Sequence, residues 1–105
     1  MIVEPNTIAV ALTPVEQKSV RAILHQHAPK HSAFVFGSRV VTSAEDLRRV
    51  KRHSDLDIAL SDPPLQLPQM DALRDAFSQS DLPMRVDIAR AADLPDEWKK
   101  QIWPL

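Results

Sequence analysis

The sequence predicts an α+β domain in which amphipathic helices cover a small sheet in two layers. One short apolar run and two short alternating segments have the length of strands, and three longer segments repeat apolar residues at the spacing of a helix face. The order is helix, strand, an undecided segment, strand, helix, strand, helix, which favours two layers packed around one core. A chain of 105 residues suits a single domain that spans 1–105.

The helices are predicted from their start and stop residues. Residues 13–16 (Thr-Pro-Val-Glu) form a capped helix start, and Pro29 ends that helix by about residue 27. A second helix is expected over 67–80, where apolar residues recur on one face and a proline follows. A last helix is expected from residue 94 or 96 to 103, before another proline.

The strands are predicted from short apolar runs and from alternation. Residues 33–36 are an apolar run too short for a helix, and residues 55–60 and 84–89 alternate apolar and polar side chains. Two segments stay open at this level. Residues 1–12 are a short strand or a loose arm, and residues 42–52 are a short helix or a polar loop.

Composition narrows the function class. Lys and Arg number 13 against 14 Asp and Glu, and this balance gives no reason to expect strong direct binding to nucleic acid. With no cysteine, a metal would need oxygen or imidazole ligands, and carboxylate ligands would favour magnesium or manganese. No apolar run approaches the ~20 residues of a membrane span, and no secretion signal is visible. A cytoplasmic protein is therefore expected.

Three aspartates are the candidate metal-binding residues. Asp55 and Asp57 lie two apart on a predicted strand, so both project from one face with Cα atoms about 6.5–7 Å apart. Asp87 has the same position on another alternating strand and joins that face if the strands are neighbours. Such carboxylates suit two divalent cations about 3.5–4 Å apart. The alternative is a half-exposed strand with solvated aspartates.

The turn at Gly37 and Ser38 is the candidate phosphate site. Gly37 is the single glycine of the chain, and a strand that ends in Gly-Ser can expose backbone N–H groups and a hydroxyl to phosphate oxygens. Arg39 follows and could donate to a phosphate. The basic run 48–53 could guide a polyanion. The alternatives are an ordinary turn at Gly37 and Ser38, a surface cation at Arg39 and a solvated loop over 48–53.

Together these segments resemble the nucleotidyltransferase superfamily that includes DNA polymerase beta, and most closely its minimal, antitoxin-type members. The resemblance rests on residues 34–39 (Phe-Val-Phe-Gly-Ser-Arg), 54–60 (Ser-Asp-Leu-Asp-Ile-Ala-Leu) and 86–88 (Val-Asp-Ile). It implies the two-layer nucleotidyltransferase fold, with a small mixed sheet covered by helices. Two features depart from the family pattern. Val-Val-Thr follows Arg39 in place of Ala-Arg-Gly, and residues 42–52 look like an insertion.

The resemblance implies a metal-dependent transfer of a nucleoside monophosphate, with two Mg²⁺ ions as cofactors and ATP as the donor. Asp55, Asp57 and Asp87 would be the catalytic and metal-binding residues, and Asp87 would also assist as a general base. The residues that would hold the phosphates of the nucleotide are Gly37, Ser38 and Arg39.

The resemblance also implies a partner. Minimal members are often the antitoxin of a pair whose toxin is an all-helical HEPN-type ribonuclease, and some attach AMP to a tyrosine of that toxin. A non-catalytic antitoxin that neutralises its toxin by binding and occlusion is the alternative. Transfer to RNA or to a small molecule ranks last, because this chain has no added domain for such an acceptor. Homo- and hetero-oligomers both remain open.

Two tryptophans fall near the end of the chain. Trp98 and Trp103 are expected on the last helix, where the sequence favours packing onto the sheet. A partner-binding patch is the alternative, since tryptophan is common at interface hot spots.

Overall fold

The computed structural model describes residues 9–99 and 102–105. Within this part the chain forms six strands and four helices. Their order matches the predicted one apart from three short strands, at residues 9–10, 40–41 and 103–104. The strands are β1 (Ala9–Val10), β2 (Ala33–Phe36), β3 (Val40–Val41), β4 (Leu56–Leu60), β5 (Val86–Arg90) and β6 (Trp103–Pro104), and the helices are α1 (Pro14–His27), α2 (Ala44–Arg49), α3 (Leu67–Ser78) and α4 (Asp96–Lys99).

The main sheet has four strands in the order β5-β4-β2-β6. Strand β2 pairs antiparallel with both β4 and β6, while β4 and β5 run parallel. Strands β1 and β3 form a separate antiparallel pair. The predicted α+β class with a small mixed sheet is therefore confirmed. None of the helices in the described ranges is long and apolar enough to cross a membrane.

One face of the main sheet carries the principal core. Leu56 and Ile58 of β4 and Val35 of β2 are fully buried there, together with Val20 of α1 and Leu73 of α3. Helices α1 and α3 thus cover this face, on which the alternation along β4 had placed its apolar side chains. Among the described residues, the other face carries a smaller cluster around Phe36, Ala59 and Leu94, and polar side chains of β4 and β5 lie near solvent there. We call this second face the open face.

Helix α1 begins where the sequence predicted. The Thr13 hydroxyl accepts a hydrogen bond from the Glu16 N–H at 3.1 Å, and the Glu16 carboxylate accepts from the Thr13 N–H at 2.9 Å. This reciprocal cap satisfies two N–H groups that a helix start otherwise leaves unpaired. The helix ends at His27, as predicted from Pro29.

The two segments that the sequence left undecided, residues 1–12 and 42–52, both contain regular secondary structure in their described parts. Residues 42–52 contain helix α2, whose N-cap Ser43 accepts from the Asp46 N–H at 3.0 Å. Of residues 1–12, the described part contains strand β1, and residues 1–8 lie outside the described residues.

The prediction of a last helix that runs to Trp103 was wrong. Helix α4 is described from Asp96 to Lys99, and Trp103 lies in strand β6 opposite Val35. Pro104 suits this place because an edge strand has one side that needs no N–H donor. The Leu105 N–H then donates to the Ala33 carbonyl at 2.9 Å.

The two tryptophans consequently lie on opposite faces of the sheet. Trp103 packs against the principal core, with the Arg21 guanidinium 5.7 Å from its ring centroid. Trp98 instead lies beside Phe36 on the open face. A single patch made of both tryptophans is therefore excluded.

Candidate active site

Two of the predicted aspartates are neighbours on adjacent strands of the open face. Asp57 of β4 pairs in parallel register with Asp87 of β5, which places their Cα atoms about 4.8 Å apart. Asp55 lies two residues before Asp57, just ahead of the first residue of β4, and is exposed. Strands β4 and β5 are neighbours, so the condition under which Asp87 joins the face of Asp57 is met.

The electrostatics of this face centre on Asp57. Burial raises the pKa of its carboxyl above the usual value, and the charges of Asp87 and Asp55 raise it further, while Arg85 opposes the shift. The Arg85 guanidinium donates from both Nε and Nη2 to Asp87 Oδ1, at 3.1 and 2.9 Å. These bonds raise the pKa of Arg85. The charges of Asp55 and Asp87 therefore repel that of Asp57, and Arg85 offsets only part of this repulsion.

A divalent cation fits the chemistry of this donor set. All three groups are carboxylates, the ligands that Mg²⁺ uses in proteins, and a cation would relieve the repulsion that raises the pKa of Asp57. Among residues 9–99 and 102–105, however, no group of three acidic or histidine side chains is close enough together to hold a metal ion. Asp87 Oδ1 is instead directed to the guanidinium of Arg85, at 2.9 Å from Nη2.

The turn after β2 brings the backbone against the carboxylate of Asp57. Gly37 has φ of +78°, in the left-handed region, and a Cβ placed on it would lie 2.5 Å from Asp57 Oδ2. Glycine is required here on both counts. Ser38 follows in the same short 3₁₀ turn and is exposed. The structure thus joins the predicted phosphate turn to the predicted metal-binding strand.

Arg39 does not face this turn. Its side chain is 4% exposed, and its guanidinium donates to the carbonyl groups of Ala11, Lys51, Arg52 and Ser54. Burial lowers the pKa of this guanidinium, an effect that the nearby Glu16 carboxylate opposes. Arg39 thereby anchors the loop that leads into β4, and four of its five N–H donors are used for this purpose.

The apolar pair Val40-Val41 is a sequence signal that could have indicated this inward position. Both residues are buried in strand β3, directly after Arg39. An arginine that directly precedes a buried strand is less expected at the surface than an arginine that precedes a polar loop.

Further hydrogen bonds keep β4 and β5 in register near the aspartates. His53 Nδ1 donates to the Pro83 carbonyl at 2.7 Å, which joins the loop before β4 to the loop before β5. The Leu56 N–H donates to the Arg85 carbonyl at 2.8 Å. His53 therefore has a structural contact beside the site and lies outside the carboxylate group itself.

The open face contains a cleft that sequence reasoning did not anticipate. It has a volume of about 400 Å³ and is lined by Gly37, Ser38 and Asp57 together with Glu97 and Trp98 of α4. The Trp98 side chain is 45% exposed, and its ring centroid lies 5.4 Å from that of Phe36 at an angle of 42°. The sequence favoured simple packing for Trp98, and nothing in its local pattern pointed to the phosphate turn.

A second, smaller cleft also has Ser38 in its lining. It has a volume of about 300 Å³, and Arg49 of α2 lines it together with Ser38 and Ser54. The Arg49 side chain is 73% exposed and pairs with Glu45 at 3.1 Å. The predicted insertion thus brings one cation of the basic run close to the phosphate turn.

Comparisons with known proteins give one informative relative. The chain is 40% identical over 84 residues to a protein of Haemophilus influenzae named "Probable protein adenylyltransferase MntA". The aligned region covers 79% of this chain and 68% of that protein. No protein-family model matches the chain.

Proposed function

Since the chain belongs to the minimal nucleotidyltransferases of the DNA polymerase beta-like superfamily, we propose that it is an antitoxin that adenylylates its partner toxin. It would transfer AMP from ATP to a hydroxyl of a HEPN-type toxin in a Mg²⁺-dependent reaction. One observation carries the proposal: Asp57 lies in register with Asp87 and directly against the Gly37 turn.

The proposed reaction is an in-line displacement at the α-phosphorus of ATP. The acceptor oxygen forms a bond to phosphorus, the bond to the bridging oxygen breaks, and pyrophosphate leaves with that electron pair. The acceptor proton passes to Asp87, the proposed general base. Both bonds from Arg85 reach Oδ1 of Asp87, so Oδ2 is the oxygen proposed to take the proton.

The remaining roles follow from the same arrangement. Asp55 and Asp57 would hold Mg²⁺ with Asp87, and the cations would supply charge stabilisation at the attacking and leaving oxygens. Gly37 and Ser38 would hold the β- and γ-phosphates, since the absence of a side chain at Gly37 lets the backbone approach closely. Arg39 is assigned to the support of this site because its guanidinium is engaged by backbone carbonyls.

The test is transfer of label from α-labelled ATP to the co-encoded partner in the presence of Mg²⁺. Wild-type protein should label the partner, and Asp57→Asn should abolish labelling while the two proteins still form a complex. Asp71→Asn is the matched control, since Asp71 is an exposed carboxylate on α3, which covers the opposite face of the sheet. Equal labelling by wild type and Asp57→Asn would refute the proposal.

Neutralisation by occlusion is the second candidate function. The ion pair between Arg85 and Asp87 favours it, because it engages one of the three carboxylates with a cation of the protein itself. An Asp55→Ala, Asp57→Ala double variant separates the two. Full neutralisation of the toxin by this variant supports occlusion, whereas lost neutralisation with an intact complex supports catalysis.

A further inference from the structure

The lining of the cleft on the open face has two chemically different parts. One part is the Gly37–Ser38 turn with the Asp57 carboxylate, and the other is Glu97 with the partly exposed ring of Trp98. Single exposed apolar residues are normal on protein surfaces, so the exposure of Trp98 alone indicates nothing. Its position in the same cleft as the phosphate turn is what matters.

The ring of Trp98 is held in place from within the protein. Phe36 is 6% exposed and immediately precedes Gly37 in the chain, and its ring lies 5.4 Å from that of Trp98. A tilted aromatic pair at this distance is a favourable contact. Trp98 is therefore fixed relative to the phosphate turn through one residue of β2, while nearly half of its surface remains accessible.

The charge of Glu97 sets the direction in which a nucleotide would lie. A carboxylate repels phosphate oxygens unless a cation offsets its charge. In the proposed function a divalent cation offsets the charge of Asp57, so the phosphates belong beside the Gly37–Ser38 turn and away from Glu97. The same carboxylate can accept a hydrogen bond from the amino group of a base. A flat aromatic ring beside it offers a surface on which a base can stack.

We propose that Trp98 is the stacking platform for the base of the nucleotide donor, with Glu97 as an acceptor for its amino group. This assignment rests on the proposed function and adds a base-binding site to the phosphate turn. Trp98 acts on binding of the nucleotide and takes no part in the chemical step.

The experiment compares the affinities of two probes in the presence of Mg²⁺. ATP carries both phosphates and a base, whereas inorganic tripolyphosphate carries only phosphates. Trp98→Ala should weaken ATP binding by about 5- to 150-fold, the range expected for loss of one stacked base, and leave tripolyphosphate binding unchanged. Trp98→Phe should retain most of the ATP affinity, because it keeps an aromatic ring.

Trp103→Phe is the matched control, since Trp103 lies on the opposite face of the sheet and in the principal core. It should leave ATP affinity unchanged, and it also makes Trp98 the one remaining tryptophan. In this background ATP should change the tryptophan fluorescence and tripolyphosphate should not. This measurement keeps the proposal testable even if Trp98→Ala fails to fold.

Two results would overturn the base site. One is an ATP affinity that Trp98→Ala leaves unchanged, and the other is an equal loss of affinity for ATP and tripolyphosphate. Failure of the proposed function has a different signature. A Trp103→Phe protein that binds ATP with a change in Trp98 fluorescence and yet labels no partner supports the base site and contradicts the transfer reaction.

Discussion

Replacement of the single glycine tests whether the turn and the carboxylate are as close as the structure shows. In Gly37→Ala, the new Cβ would lie 2.5 Å from Asp57 Oδ2, while the Asp57 Cβ is at an ordinary 3.7 Å. The backbone at φ of +78° adds a second penalty of about 1–2 kcal/mol for any residue with a side chain. Two separable costs are therefore expected.

A double-mutant cycle separates the two costs. Because Asp57→Ala removes the carboxylate that the new Cβ would meet, Gly37→Ala should cost only the backbone penalty of about 1–2 kcal/mol in that background. In the wild-type background it should cost more, with a coupling of about 0.5–3 kcal/mol between the two positions. Urea denaturation of all four proteins in metal-free buffer gives the free energies of unfolding.

The same variant has a functional consequence. Relief of the contact requires the Asp57 carboxylate to move, and a small displacement of a reacting or ligating group is costly to catalysis. Gly37→Ala should therefore lose most of the label transfer even where it is fully folded. Equal costs of Gly37→Ala in the two backgrounds, or a wild-type level of transfer, would refute the inferred contact.

Three other predictions concern single side chains. The raised pKa of Asp57 means that the folded state binds this proton more tightly than the unfolded chain, so stability falls as pH rises from the ordinary value of 3.8 through the raised one. In metal-free buffer at neutral pH, Asp57→Asn should thus unfold at higher urea than wild type, and Asp71→Asn should not; the reverse order would contradict the assigned repulsion. Arg39→Lys should lose about 1–3 kcal/mol in the free energy of unfolding, because one ammonium cannot serve four carbonyls, and an unchanged midpoint would contradict the anchoring role. Arg49→Ala should raise KM for ATP about two- to fivefold, as expected for an exposed charge near the proposed phosphate site. Arg48→Ala on the same helix is the control and should leave KM unchanged. Equal effects of the two variants would show that the basic run acts only through its overall charge.

Local patterns of the sequence determined most of the framework. The cap at Thr13 and Glu16 defined the start of α1, and the alternation along β4 identified which side chains face the helices. These features depend on neighbours in the chain, so periodicity and capping chemistry reveal them. The single glycine likewise marked a backbone position with φ of +78°, because few other residues tolerate it.

The tertiary structure decided how these pieces meet. The pairing of Asp57 with Asp87 depends on the register of two strands that are distant in the chain, and alternation alone is compatible with strands that never touch. Arg39 turned inward because four carbonyl groups from two separate segments converge on it. Trp98 and Trp103, five positions apart, went to opposite faces because β6 pairs with β2 while α4 leans on Phe36. The sequence alone thus identified the candidate residues for the proposed chemistry, and long-range pairing decided which of them share one cleft.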